Sequence, residues 1–479
     1  MTIDQTIPWT IADILSATRG DLLSGPSERS FAGVEIDSRR ITADAAFVAI
    51  VGAVHDGHRF CDDVLRQGVQ GLIVNRDHAV RLPIDDWRRR KIACVAVADT
   101  TRALGHLATF NRQRAGINVI AVTGSNGKTT TRKFTAAVVG RKYKTLATRG
   151  NLNNAIGLPL TLMRLTPAHQ WAVLELGTNH PGEIADLAVI CRPDIGVITN
   201  IAPAHLEGLG SLEGVMRAKG ELLHELKPGG KAVLNADDPR CRQLAQECRK
   251  SVILFGTGSD ADVSARDIRD SAAGVNFELA VSGERISVTI QIPGRFMVAN
   301  ALAAAAVGHL LALPLETIKA GLETVVAESG RMAVIPTDRE ITIVDDAYNA
   351  NPASMQAAFS ALGAMRGRQR SALVLGDMLE LGENAAGWHR RIAAAAAQSG
   401  AKRIYFAGEF AGLSAQSARA ESMDSGDIHT GDHQEILADL KQWLRPGDWV
   451  LVKGSRGMRM DKIVAELKEW AGELKDRNH

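Results

Sequence analysis

The sequence predicts an α/β chain of three domains, and three observations carry the prediction. Apolar runs such as "NVIAVTG", "WAVLELG" and "DIGVITNI" are rich in β-branched residues and read as strands buried on both faces of a parallel sheet. Helical stretches alternate with these runs, as in a doubly wound sheet. The 479 residues also fit roughly three domains at ~150 residues each.

The small first unit, residues 1–100, has strands at "GVEIDSRR", "AAFVAIVG", "GLIVNR" and "CVAVADT", with a helical pattern over "VHDGHRFCDDVLRQG". Residues 101–330 form the second. Helices "NGKTTTRKFTAAVVGRK", "PGEIADLAVICR" and "LEGVMRAKGELLHEL" separate its strands. Between 262 and 292 the pattern turns to polar–apolar alternation, which predicts antiparallel strands added to that sheet. The third unit, residues 331–479, repeats the α/β order with strands "ITIVDDAYN", "SALVLGD", "RIYFAG" and "DWVLVKGS".

Composition narrows the function classes. Lys plus Arg is 56 and Asp plus Glu 54, a net charge of +2. That balance gives no bulk argument for a nucleic-acid or membrane-surface partner. The run "RRRK" at 88–91 is short and reads as solvated surface. The five cysteines form no CxxC pair, which fits free thiols in a reducing compartment. "MTIDQTIPWTIADILSATRG" lacks the basic-then-apolar order of a signal peptide. No apolar run reaches the ~20 residues that span a bilayer. A cytoplasmic protein without membrane insertion is expected.

The most informative stretch is "VTGSNGKTTT", residues 122–131. Gly124 and Gly127 let the backbone turn sharply, so that N–H groups face an anion. Lys128 offers a point charge for terminal phosphates. Thr129 places a hydroxyl where a bound Mg²⁺ would sit, at a helix start whose dipole favours negative charge. The standard phosphate loop has four residues between its first glycine and the Gly-Lys pair. Here only Ser125 and Asn126 intervene.

Other residues have two readings each. Glu175 ends the strand "WAVLEL" and could hold Mg²⁺, or it could be a sheet-end acid in solvent. His205, in "TNIAPAHLEGLGS", sits past another strand; a lone loop histidine is more often a hydrogen-bonding surface group than a ligand. Lys219 in "MRAKGELL" reads as a solvated helix lysine. Asn300, inside the apolar helix "MVANALAAAA", needs hydrogen-bond partners if buried. It could satisfy a local group or read a base edge. "VDDAYNANP" at 344–352 carries more polar groups than a helix cap needs.

Together these stretches resemble the Mur ligases. "TGSNGKTTT", "NLNNAIGLPLTL", "ELGTNHPGEI", "NIAPAHLEGLGS", "RAKGELL", "PGRFMVANALAA", "DDAYNANPASM", "LGDMLELGE" and "VKGSRGMRM" carry the resemblance, which spans essentially the whole chain. The glycine loop is shared with folylpolyglutamate synthase, whereas "DAYNANP" argues against that relative. The resemblance implies an N-terminal UDP-sugar-binding domain and a central P-loop-type ATPase with a doubly wound parallel sheet. It also implies a Rossmann-like C-terminal domain that closes over ATP and binds an incoming dipeptide. The implied reaction joins D-alanyl-D-alanine to a UDP-N-acetylmuramoyl-tripeptide through an acyl phosphate, with ATP and two Mg²⁺. A monomer is expected, with no nucleic-acid partner.

The resemblance also assigns residues. Gly124, Ser125, Asn126, Gly127, Lys128, Thr129 and Thr130 would hold the nucleotide phosphates. Thr129 and Glu175 would serve one Mg²⁺. His205 would serve the second, together with Lys219 carbamylated into an anion. Asn300 matches an adenine-contacting asparagine, Arg331 an arginine that reaches the γ-phosphate, and Asp346 the ribose position. Ser38 and Arg39 fall in the uridine-diphosphate region. Asn151, Tyr348, Asn349 and Asn351 are substrate candidates. Lys128, His205, Lys219 and Arg331 form the implied catalytic set.

Overall fold

The run Asn118–Thr123 is buried at every residue after its first, and it becomes an inner strand of a nine-stranded sheet. The computed structural model describes residues 6–52, 55–421 and 423–473. Parallel neighbours flank that strand, Trp171–Glu175 on one side and Ile195–Ile198 on the other. Beyond Ile195–Ile198 the sheet continues through Lys231–Asn235, Ser251–Gly256 and Val263–Ser271, all parallel. It ends in the antiparallel pair Gly274–Val281 and Glu284–Ile290, as the alternation over 262–292 predicts. Gly274–Val281 buries every second residue from Val275 onward, and Glu284–Ile290 does so at its end, with Val288 and Ile290 buried.

The helix Met297–Leu310 explains the alanine run. Ala301 and Ala303–Ala306 are fully buried, because this helix lies against Lys128–Val139, the helix that follows the glycine loop. Small side chains allow that close approach. Phe134, Val138 and Leu302 belong to the same apolar cluster, which continues through Met355 and Phe359 of the last third of the chain.

The C-terminal sheet has six strands in the order Ala333–Pro336, Thr342–Asp346, Trp449–Lys453, Ser371–Gly376, Arg403–Ala407, Ile428–Thr430. All pairs are parallel except the first. The two edge strands escape sequence reading. They are four and three residues long, too short for a periodic signal, and one ends in a proline. The five-stranded N-terminal sheet runs Asp21–Ser24, Ala93–Val97, Gly71–Asn75, Ala45–Val48, Gly33–Glu35.

The helix expected over 54–68 is broken. A 3₁₀ turn, Gly57–Phe60, capped by the Asp56 side chain, precedes a helix at Cys61–Arg66. Val54 and the opening "MTIDQ" lie outside the described residues, as do 474–479 of the third unit. Helix Thr100–Ala115 packs on Ile11–Thr18 and also on Gly157–Leu162 and Glu183–Cys191, so it bridges the first and second units. Among the described residues, no helix is long and apolar enough to cross a membrane.

Candidate active site

The strand order reverses on either side of Asn118–Thr123, and a doubly wound sheet opens its ligand crevice at such a point. Three adjacent carboxyl ends therefore supply the site. Gly124 follows the first strand, Glu175 ends the second and Asn200 lies just past the third. Gly127 has φ +78, and a Cβ there would overlap the Asn300 side-chain oxygen. Asn200 and Thr199 hold the loop's shape. Ser125 N donates to the Asn200 carbonyl (2.9 Å) and Asn126 N to the Asn200 side-chain oxygen (2.9 Å). Thr199 Oγ1 donates to the Asn126 carbonyl at 2.6 Å. A helix of 12 residues starts at Lys128, so its positive end faces the crevice.

Lys128 Nζ donates to the Gly124 carbonyl at 2.8 Å and to that of Ser125 at 3.3 Å. Its ammonium thus lies against the loop. Desolvation lowers its pKa from the ordinary lysine value, with Glu175 pulling upward and Arg331 adding to the lowering. Thr129 Oγ1 donates to Glu175 Oε2 at 2.8 Å, and Asn153 Nδ2 donates to Oε1 at 2.9 Å. Glu175 is buried, with Arg132 Nε 3.7 Å away. A hydroxyl and a carboxylate oxygen held this close form a hard-oxygen donor set that suits Mg²⁺.

His205 Nδ1 lies 2.6 Å from Glu380 Oε2, and that bond holds the Glu380 carboxyl below its usual range. Lys219 is 1% exposed. Among the described residues it has no hydrogen-bond or ion-pair partner. Desolvation pushes its pKa well below the lysine norm, and the charge on Lys128 pushes the same way.

The C-terminal unit closes the other side. Asp346 and Lys453 are register partners at the ends of parallel strands. Lys453 Nζ donates to Asp346 Oδ2 at 2.5 Å and to the Asn349 carbonyl at 3.0 Å. Arg331 stacks 4.0 Å over the Tyr348 ring, with Arg456 5.6 Å from the same ring. Asn351 Nδ2 donates to Asn126 Oδ1 at 2.7 Å.

One cavity of about 800 Å³ collects these groups. Ser125, Asn126, Gly127, Lys128, Thr129, Thr130, Asn151, Glu175, His205, Asn300, Arg331, Asp346, Tyr348, Asn349 and Asn351 all line it. Gly124 and Lys219 are both buried and do not line it. Asn300 faces the loop as well as the cavity: its side-chain oxygen accepts from Thr131 Oγ1 at 3.1 Å. Ser38 and Arg39 lie elsewhere, on the N-terminal unit. Arg39 is exposed and pairs with Asp37 at 2.8 Å, while the Ser38 carbonyl accepts from Gln67 at 3.1 Å. Sequence reading misses Asn153, Asn200, Glu380 and Lys453. All four stand inside quoted motifs, yet nothing local marks any of them as a contact.

Three family models match in succession: the "Mur ligase family, catalytic domain" over residues 30–112, the "Mur ligase middle domain" over 122–308 and the "Mur ligase, glutamate ligase domain" over 330–456. The chain is 36% identical to the UDP-N-acetylmuramoyl-tripeptide–D-alanyl-D-alanine ligase of Escherichia coli (strain K12), an alignment covering 97% of this chain and 99% of that enzyme. The chain belongs to the Mur ligase family. Solved structures agree with that placement. This Mur ligase superposes on a crystal structure of MurF from Acinetobacter baumannii with a TM-score of 0.87 at 33% identity, covering 97% of this chain and 100% of that one. It is similar too to the MurF ligase from Thermotoga maritima in complex with ADP, with a TM-score of 0.80 and 27% identity over 91% of this chain and 97% of that one.

Proposed function

We propose that this Mur ligase joins D-alanyl-D-alanine to a UDP-N-acetylmuramoyl-tripeptide, consuming ATP and releasing ADP and phosphate in peptidoglycan precursor synthesis. The observation that carries this reading is the convergence of Lys128, Thr129, Glu175 and His205 with Arg331 and Asp346 in one cavity between two sheets. The near-full-length likeness to the E. coli enzyme supports the choice of substrates. We assign residues 1–100 to the UDP-sugar, 101–330 to ATP, and 331–479 to the dipeptide and to closure over the nucleotide. Ser38 and Arg39 would contact the uridine diphosphate, outside the cavity described above. The protein is read as a cytoplasmic monomer, which sedimentation of the full chain tests.

A carboxylate is a poor acyl donor because oxide is a poor leaving group. Transfer of the γ-phosphoryl group to the tripeptide carboxylate makes an acyl phosphate. The dipeptide amine attacks its carbonyl carbon, and phosphate departs. Such chemistry depends mainly on positioning and on charge stabilisation. Lys128 and Arg331 offset the negative charge of the two acidic substrates. The free N–H groups at the start of helix Lys128–Val139 orient the phosphates, those of Ser125 and Asn126 being spent on Asn200. We assign Asn300 and Asp346 to adenine and ribose, and Asn151, Tyr348, Asn349 and Asn351 to the acceptor and the dipeptide; all six line the cavity. The closed C-terminal unit excludes water, which would hydrolyse the acyl phosphate.

Two Mg²⁺ would neutralise phosphate charge when bound, one held by Thr129 and Glu175, the other by His205 and carbamylated Lys219. Carbamate formation needs a free amine to attack CO₂. Burial and the neighbouring Lys128 charge both favour that neutral form. The test is ADP release by the full chain with UDP-muramoyl tripeptide, with and without D-alanyl-D-alanine. Release that depends on the dipeptide is expected. Dipeptide-independent hydrolysis, or equal use of free glutamate or lysine, would overturn the assignment.

A further inference from the structure

His205 and Glu380 stand 175 positions apart and come from different sheets. Their side chains meet at 2.6 Å, with the His205 Nδ1 nitrogen facing the carboxylate. The backbones meet there too, because Glu207 N donates to the Glu380 carbonyl at 3.2 Å. Both residues adopt left-handed backbone, φ +53 at His205 and φ +62 at Glu380. Neither is glycine, so each conformation is strained. The Glu380 side chain is 49% exposed, and a half-exposed pair returns little stability. Two strained residues cost more than such a pair gives back, so stability alone does not account for the arrangement. Strain of this kind clusters at functional sites.

A carboxylate on one imidazole nitrogen does something definite to the other. It accepts the Nδ1 proton, fixes the tautomer and leaves the Nε2 lone pair available, as carboxylate partners do for metal-binding histidines. We propose that Glu380 is a positioning residue: brought in by the C-terminal unit, it presents His205 Nε2 to a divalent cation, so that domain closure and filling of the second metal site are coupled. This inference rests on the ligase reading above, in which His205 is a metal ligand. Lys219 belongs to helix Leu212–His224 of the same unit as His205, whereas Glu380 comes from the C-terminal unit. The second site would therefore be complete only in the closed molecule.

The experiment uses the full chain, Mn²⁺ as the probe and ADP as the nucleotide, with bound manganese read by electron paramagnetic resonance. E380G removes the carboxylate and relieves the φ +62 strain, so it should melt no lower than wild type. Its second manganese should bind about 10-fold or more weakly, the usual effect of losing such a partner. E380Q keeps an oxygen that accepts from Nδ1 and should recover part of that loss. Wild-type manganese affinity in a folded E380G would overturn the inference. A wild-type chain that shows no dipeptide-dependent ADP release would instead overturn the ligase reading, whatever E380G does.

Discussion

The Asn351 side chain joins two structures at once. Its nitrogen donates to Asn126 in the glycine loop at 2.7 Å, and its oxygen accepts from Ser354 N at 2.9 Å to cap helix Pro352–Arg366. The amide therefore ties the C-terminal unit to the phosphate loop, and the two roles are separable. A serine keeps the cap but is too short to reach Asn126. N351S should melt like wild type, with kcat/KM for ATP about 5-fold lower, the equivalent of ~1 kcal/mol for one hydrogen bond. N351A should lose the same factor and also about 1 kcal/mol of stability, because the cap is gone. Equal kcat/KM in N351S and wild type would remove Asn126–Asn351 from the closure mechanism.

Gly127→Ala meets two obstacles. The φ of +78 is costly for an L side chain, and the new Cβ overlaps the Asn300 side-chain oxygen. The strain alone is of order 1–3 kcal/mol. Asn300 also carries the bond from Thr131, so moving it disturbs the loop helix. G127A should lose nucleotide binding, read by titration with a non-hydrolysable ATP analogue. G127A/N300A removes the overlap but keeps the backbone strain. It should recover stability in a thermal melt without recovering nucleotide affinity.

What the sequence makes legible depends on whether the signal is local. The glycine loop, the acid that ends "WAVLEL" and the alternation over 262–292 are written within a few residues, and the structure places them as read. Lys453 and Glu380 are not legible, because their partners lie 107 and 175 positions away. Asn200 is hidden for a similar reason: it supports the loop from 74 positions downstream. Lys219 reads locally as a solvated lysine, and only the packing of helix Leu212–His224 shows it to be buried. The short edge strands carry too few residues for any period to show.

Lys219 should also make stability depend on pH. Burial and the Lys128 charge hold its folded pKa well below the ordinary lysine value of 10.5. Between those two values the unfolded chain holds a proton that the folded chain lacks. Stability then rises with pH through that window and is lost as pH falls. Denaturant melts in CO₂-depleted buffer should show this rise in wild type and not in K219M, which removes the group. K219A should be inactive and partly rescued by short carboxylates, which replace the missing carbamate. Wild type in ¹³C-bicarbonate should show a carbamate resonance that K219A lacks. A wild-type spectrum without that signal would count against carbamylation.

Asp346 and Lys453 are a buried pair, 14% and 3% exposed in their side chains. Burial raises the Asp346 pKa, and the Lys453 charge and hydrogen bond pull it down without cancelling the rise. Met332 N also donates to Asp346 Oδ1 at 3.1 Å, so the carboxylate also ties its strand to the start of the neighbouring edge strand Ala333–Pro336. Removing one member of such a pair costs about 3–5 kcal/mol, whereas removing both charges costs much less. K453M should therefore melt well below wild type, and D346N/K453M should recover most of the difference. The sign with pH follows from the raised carboxyl pKa. In K453M the orphaned Asp346 takes up a proton as pH falls, so the folded chain binds more protons than the unfolded one. The stability gap between K453M and the double variant should thus narrow at acidic pH, as read by urea denaturation. A gap that stays constant would mean that lost packing, not unpaired charge, sets the cost. Turnover should fall in both variants, because Asn349 loses the lysine that holds its carbonyl at 3.0 Å.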